Sequence, residues 1–153
     1  MKIRLIVIGK IKEKYLQDGI NEYKKRISAF CDLELIELKE INTIDEAKNL
    51  KDESVLILNT ISNNDYVVTL EINGKEIDSV EMANMIRDHY TYSSKVMTFI
   101  IGSSCGLDSE VIKRSDYHLS FGKMTFPHQV MRLIFLEQLY RSMMIINNHK
   151  YHK

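Results

Sequence analysis

The chain has 153 residues, 44% of them hydrophobic and 27% charged, with equal numbers of acidic and basic side chains. That length suits one domain, residues 1–153, and a chain of this size buries about 70% of its unfolded surface without needing staples. Two cysteines, Cys31 and Cys105, with no CxxC spacing, exclude a disulfide framework and a thiolate metal site, and no apolar run approaches the ~20 residues that span a bilayer.

Residues 2–9, KIRLIVIG, are rich in β-branched side chains and stop at Gly9. They predict a first strand, and not a signal peptide, because no small-residue cleavage site follows. Residues 12–30 place Tyr15, Leu16, Ile20, Tyr23 and Ile27 at helical spacing. Residues 32–38, DLELIEL, alternate with period two and predict a half-buried strand. Residues 43–61 predict one helix opened by a capping pair, Thr43 and Glu46. Its VLIL could also be read as a short strand. YVVTLEI (66–72) predicts a strand ending in an Asn73-Gly74 turn. Residues 79–90 read as helix. KVMTFIIG (95–102) is nearly all apolar, as in a strand covered on both faces of a parallel sheet. A short helix over 108–114, a strand over 117–121 and a last helix from Pro127 to about 147 complete the order. Strict alternation of strand and helix predicts an α/β fold, a parallel sheet with helices on both faces.

Charge is not evenly spread. Residues 1–31 carry eight Lys/Arg against three Asp/Glu, and residues 113–153 seven against two, while residues 32–88 carry five against fourteen. Two basic ends could form one surface for a phosphate backbone; scattered over solvated helix faces, the same charges would mean nothing. Lone thiols fit a reducing, cytoplasmic setting.

Ligands of parallel α/β sheets bind beyond the C-terminal ends of strands. Three such ends stand out: Leu70-Glu71, IGSSCGL (101–107) and FGKMTF (121–126). Glycines there let the backbone turn tightly and let a ligand come close. Neither GxGxxG nor a Walker loop is present. Pro127 suits the first position of the last helix, where its missing N–H costs nothing. That helix is apolar around much of its circumference, as in a core or interface helix.

At this point five stretches, MKIRLIVIGKIKEKY, YVVTLEINGK, FIIGSSCGL, LSFGKMTFPHQVMRLIFLEQLYR and the terminal YHK, closely resemble the small SPOUT-class (trefoil-knotted) methyltransferases that modify N3 of a pseudouridine in 23S ribosomal RNA. The resemblance covers essentially the whole chain. It implies a SPOUT fold with a C-terminal trefoil knot, a homodimer, S-adenosylmethionine as cofactor, no metal, no membrane, and 23S rRNA of the ribosome as partner. By motif it places the cofactor at Leu70, Gly102, Phe121, Gly122, Lys123, Met124, Thr125 and Phe126. One departure stands out: Ser103 follows Gly102 where the family usually shows a second glycine. A position that needs positive φ would make Ser103 cost roughly 1 kcal/mol and crowd the pocket.

Methyl transfer from a sulfonium to nitrogen is an in-line displacement that needs alignment at about 3–3.5 Å and a base for the imide proton. Near pH 7 that base is most naturally histidine. His152 and His128 are the candidates. His152 is preferred, because Tyr151-His152 in a basic tail can fold over a partner's pocket. The catalytic set is then His152, Tyr151 and Arg141. His128, Arg132, Tyr140 and Lys153 are expected to meet RNA, the cations through phosphate and the tyrosine by stacking. Two other readings remain open: a flavodoxin-like nucleotide-binding module, and a catalytically weak RNA-binding homodimer of the same fold.

Overall fold

A computed structural model describes all residues 1–153. The elements are β1 (Lys2–Ile8), α1 (Lys14–Ile27), β2 (Asp32–Leu38), α2 (Glu46–Thr60), β3 (Tyr66–Glu76), α3 (Ser79–Tyr92), β4 (Met97–Ile101), α4 (Ser109–Arg114), β5 (Tyr117–Ser120) and α5 (His128–Ile146). The predicted alternation is therefore present from end to end. The strands form one sheet in the order β2-β1-β4-β3-β5, and every pair is parallel. That order is not the β2-β1-β3-β4-β5 of flavodoxin-like folds, and it removes that reading.

Period-two alternation explains which helices lie where. Ile3, Leu5 and Val7 of β1 and Met97, Phe99 and Ile101 of β4 face a core shared with α1, α3 and α5. Ile6 and Ile8 of β1 and Ile100 of β4 face the opposite side, against Ile57 of α2 and Val111 of α4. All five residues of β4 are buried, as a central strand with both faces covered must be.

Local chemistry corrects three sequence expectations. Asp45, not Thr43, caps α2, accepting from the Lys48 N–H at 3.0 Å. Pro127 is the N-cap of α5 and not its first turn: its ψ of 132° is extended, and its carbonyl accepts from the Met131 N–H at 2.9 Å. Asn73-Gly74 is no turn. β3 runs on to Glu76, and residues 71–74 bulge out of its pairing with β5, so Leu119 stands opposite both Leu70 and Lys75. A Cβ on Gly74 would stand 2.8 Å from the His118 and Leu119 backbones. Glycine is there for close approach, not for a positive φ.

Arg132 is expected at an RNA surface, yet it is only 1% exposed. Its Nη1 donates to Glu37 Oε2 at 2.7 Å and its Nη2 to the Gly9 carbonyl at 2.9 Å and the Ile8 carbonyl at 3.3 Å. The side chain ties α5 to the C-terminal ends of β1 and β2. Burial lowers its pKa, and Glu37 opposes that shift. Replacing Arg132 with Met leaves the Ile8 and Gly9 carbonyls without their donor and removes the ion pair to the exposed Glu37, so it should cost about 2 kcal/mol. Urea unfolding measures this, and a loss under 1 kcal/mol would make the pair dispensable.

Candidate active site

Three strand ends and the start of α5 close around one cavity of about 360 Å³. That lies within the range of small-molecule sites. The β3 bulge contributes Leu70, Glu71, Ile72 and Asn73; the loop after β4 contributes Gly102 to Leu107; the loop after β5 contributes Phe121, Gly122, Met124, Thr125 and Phe126. Seven of the eight residues expected to hold the cofactor therefore line a single cavity. The eighth, Lys123, is exposed and does not line it.

Each loop has a reason for its path. Gly122 adopts φ +111°, a conformation that favours glycine, and nothing lies within 4 Å of a Cβ built there. Gly102 is needed for closeness, since a Cβ would stand 2.3 Å from the Gly106 carbonyl oxygen. Gly106, at φ +82°, turns the loop back so that its N–H donates to the Ser103 carbonyl at 2.9 Å.

Ser103 is neither strained nor intrusive. Among non-glycine residues only Asn148 has a positive φ. The Ser103 hydroxyl donates to Glu53 Oε1 at 2.8 Å, tying the loop to α2. Burial raises the Glu53 carboxyl above its ordinary pKa, and the Ser103 hydrogen bond opposes that shift. The crowding argument thus fails, and with it the support for a cofactor-free homodimer. Ser103→Gly should not tighten cofactor binding. It should destabilise the fold by about 1–2 kcal/mol by stripping a buried carboxyl of its donor. Thermal unfolding beside a cofactor titration checks both halves; a more stable or tighter-binding variant would restore the crowding argument.

His128 lines the cavity wall. Its Nε2 is sealed, without a hydrogen-bond partner, 3.9 Å from Glu40 Oε1. Glu71, also in the wall, accepts from the Thr69 hydroxyl and meets His118 Nδ1 at 2.6 Å through the same oxygen. His118 itself is exposed. Sequence reasoning missed Glu53. Its one signal is its place four residues before the buried Ile57, which puts a carboxyl on the buried side of α2.

The predicted catalytic residues gather elsewhere. Asn148, at φ 55°, ends α5 in a left-handed turn: the His149 N–H reaches the Met144 carbonyl and the Asn148 N–H the Ile145 carbonyl. The tail then folds back onto the helix. Tyr151 Oη donates to Glu137 Oε1 at 3.0 Å, Arg141 Nη2 to the same oxygen at 2.6 Å, and Arg141 Nη1 lies 3.3 Å from His152 Nδ1. Burial and hydrogen bonds to Tyr23 and Glu137 raise the Tyr151 pKa. Tyr140 packs against Tyr23, Phe30 and Tyr151, beside the Arg26 guanidinium, so its ring is engaged within its own chain and is not presented to a nucleobase. Lys153 is exposed.

The packing of α1 on α5 does join the two basic ends of the chain. No His, Cys, Asp and Glu cluster is placed to hold a metal ion, and no helix is long and apolar enough to cross a membrane.

Known proteins place this geometry. The family model described as "Predicted SPOUT methyltransferase" matches residues 1–152. A ribosomal RNA large subunit methyltransferase H of Clostridioides difficile (strain 630) is 48% identical over 159 aligned residues, covering 100% of both chains. The protein of the same name from Clostridium tetani (strain Massachusetts / E88) is 43% identical, again over 100% of both. Among solved structures, a probable methylase family protein from Haemophilus influenzae Rd KW20 superposes with a TM-score of 0.58 at 16% identity, over 99% of this chain and 70% of the other. A probable methyltransferase from Bordetella pertussis Tohama I gives 0.55 at 12% identity, over 93% of each. These two speak for the fold.

Proposed function

The chain belongs to the SPOUT methyltransferase family, and from that premise we propose that it methylates large-subunit ribosomal RNA with S-adenosylmethionine, at N3 of a pseudouridine in 23S rRNA. The observation that carries this reading is the convergence of the β3, β4 and β5 ends on one cavity. Support for the substrate comes from full-length relatives named as ribosomal RNA large subunit methyltransferases. The knotted threading of the SPOUT fold is part of the reading. The bulge of β3 against β5, where Gly74 lies against the His118 and Leu119 backbones, is the kind of close approach between distant segments it requires.

The residues fit S-adenosylmethionine. Leu70, Ile72, Leu107, Phe121 and Phe126 offer apolar surface for a flat purine, and Gly122 leaves room for the ligand to approach the backbone. When bound, the cofactor supplies an activated methyl carbon. The chain has to hold that carbon in line with the acceptor nitrogen, exclude water and take up one proton. Within one protomer His152 cannot be that base. α5 carries His128 at the cavity and Arg141 thirteen residues later, about 20 Å away at 1.5 Å per residue. In a homodimer, a second copy's tail can cover the cavity and bring Tyr151 and His152 to the acceptor. Arg141 then orients the histidine, and Lys153 and the basic face of α1 engage phosphate.

Transfer of a labelled methyl group from the cofactor to ribosomes, followed by digestion to nucleosides, tests the reading. Label in N3-methylpseudouridine is expected. Label in another nucleoside overturns the substrate assignment, and no label in RNA overturns the function.

A further inference from the structure

Glu71 stands where β3 leaves its pairing with β5 and bulges, and we propose that its carboxylate is the acceptor for the ribose hydroxyls of the bound cofactor. This rests on the reading that the cavity holds S-adenosylmethionine. Glu71 is the only acidic residue that lines the cavity, and no lysine or arginine lines it. Its two oxygens are in different situations. Oε1 accepts from the Thr69 hydroxyl and meets His118 Nδ1 at 2.6 Å. Oε2 makes no hydrogen bond within the chain, and unlike Oε2 of Glu53 it is not sealed off. The side chain keeps 15% of its surface exposed, so a ligand can reach it.

The engaged oxygen is held from two strands. Thr69 is fully buried, and its hydroxyl lies 2.8 Å from that of Ser115, which donates to the Tyr117 carbonyl at 2.8 Å. His118, on β5, stands opposite Thr69 in the sheet. β3 and β5 thus orient the carboxylate together, and one oxygen is left over with its lone pairs free. An acceptor fixed in advance costs a ligand less ordering than a loose side chain does.

The donors of the cofactor decide which group it takes. The amino-acid end brings a carboxylate along with its ammonium, and Glu71 repels that carboxylate with no cation in the wall to offset it. The purine edge alternates its amine with ring nitrogens that only accept, a pattern that backbone N–H and C=O groups match and a carboxylate does not. The ribose presents two adjacent O–H groups that can both turn toward an anion. An acidic side chain takes the same hydroxyls in the parallel sheets that bind dinucleotides. Leu70 and Ile72, on either side of Glu71 in the chain, give apolar surface for the purine, and the sugar is the next group along the ligand.

Calorimetric titration of the full chain tests this with four probes. They are S-adenosylhomocysteine, its 2′,3′-dideoxy form, S-inosylhomocysteine, which has a carbonyl in place of the purine amine, and 5′-methylthioadenosine, which lacks the amino-acid end. Glu71→Gln keeps an oxygen for Thr69 and His118 and turns the free acceptor into a donor. It is expected to weaken the three probes that carry both hydroxyls on the order of ten-fold, the loss of a charge-assisted hydrogen bond, and the dideoxy form by less than about two-fold. An equal loss for all four would make Glu71 a mere prop for the bulge, and no loss for any would leave it outside the site; either result overturns the proposal. A loss that spares S-inosylhomocysteine would put the purine amine at Glu71, and one that spares 5′-methylthioadenosine would put the ammonium there; both overturn it too. Should Glu71→Gln fail to fold, His118→Leu, which leaves the carboxylate in place but frees it from β5, has to show the same pattern at about three-fold, or the proposal falls. Failure of the unaltered chain to bind either S-adenosylmethionine or S-adenosylhomocysteine would sink the cofactor reading itself, a result distinct from all of these.

Discussion

A chain ending at Lys150 is expected to lose methyl transfer by on the order of 100-fold or more, the range of a removed general base, with its affinity for S-adenosylmethionine unchanged. The truncation removes Tyr151 and His152 but touches nothing that lines the cavity. What it breaks lies at the far end of α5: the Tyr151–Glu137 hydrogen bond, the edge-on packing of Tyr151 on Tyr140, and the Arg141 contacts with Tyr151 and His152. Calorimetry with the cofactor and a ribosome methylation assay separate the two effects. Full activity in the shortened chain would remove the tail from the mechanism. The homodimer reading makes a sharper demand. Mixing the shortened chain with a full-length chain whose cavity is broken should restore activity, because one intact cavity then meets one intact tail. No restoration, with mixed dimers shown to form, would place tail and cavity in the same protomer.

Gly102→Ala supplies that broken cavity and carries the second large effect. Its Cβ would need the space of the Gly106 carbonyl, 2.3 Å away, and a carbonyl fixed by its loop cannot swing aside as a flexible side chain can. The loop must open, and Ser104, Cys105 and Leu107 leave the wall with it. Cofactor affinity should fall on the order of 100-fold, equivalent to about 2.8 kcal/mol, and stability by about 1–3 kcal/mol, as in other overpacked sites. Calorimetry and urea unfolding give the two numbers. Retained affinity would mean that the cofactor does not rest on this loop.

How much of this was legible in the sequence depends on whether each signal was local. β1 and β4 announced themselves through β-branched, nearly unbroken apolar runs, and the three strand ends, two of them glycine-bearing, lead into one cavity as the parallel-sheet rule anticipates. Asn73-Gly74 did not resolve, because a glycine beside a strand marks either a turn or a close neighbour, and the neighbour here is β5, more than forty residues on. Arg132 misled for a related reason. An arginine on a long apolar helix looks like an interface residue until its partners appear, and these are two backbone carbonyls and Glu37, on strands far away in sequence. Glu53 lay hidden in an acidic stretch, where one more carboxylate draws no notice.

The seating of α2 also sets limits on where the chain tolerates a change of length. Asn49, Glu53 and Ile57 form one buried row down the helix, with Asn49 tied to Thr43 and Glu53 tied to Ser103. Residues added or removed between Leu38 and Thr43 keep the register within that row but shift Glu40, which stands against His128 and Gly9, and the Ile41 backbone at Glu53. One residue inserted between Asn49 and Ile57 turns part of the row by about 100°, so either Asn49 or Glu53 and its hold on the cavity loop is lost. The acidic segment is thus held at both ends, and a change of length inside α2 costs the buried row itself, whereas one before Thr43 costs the contacts of Glu40 and Ile41.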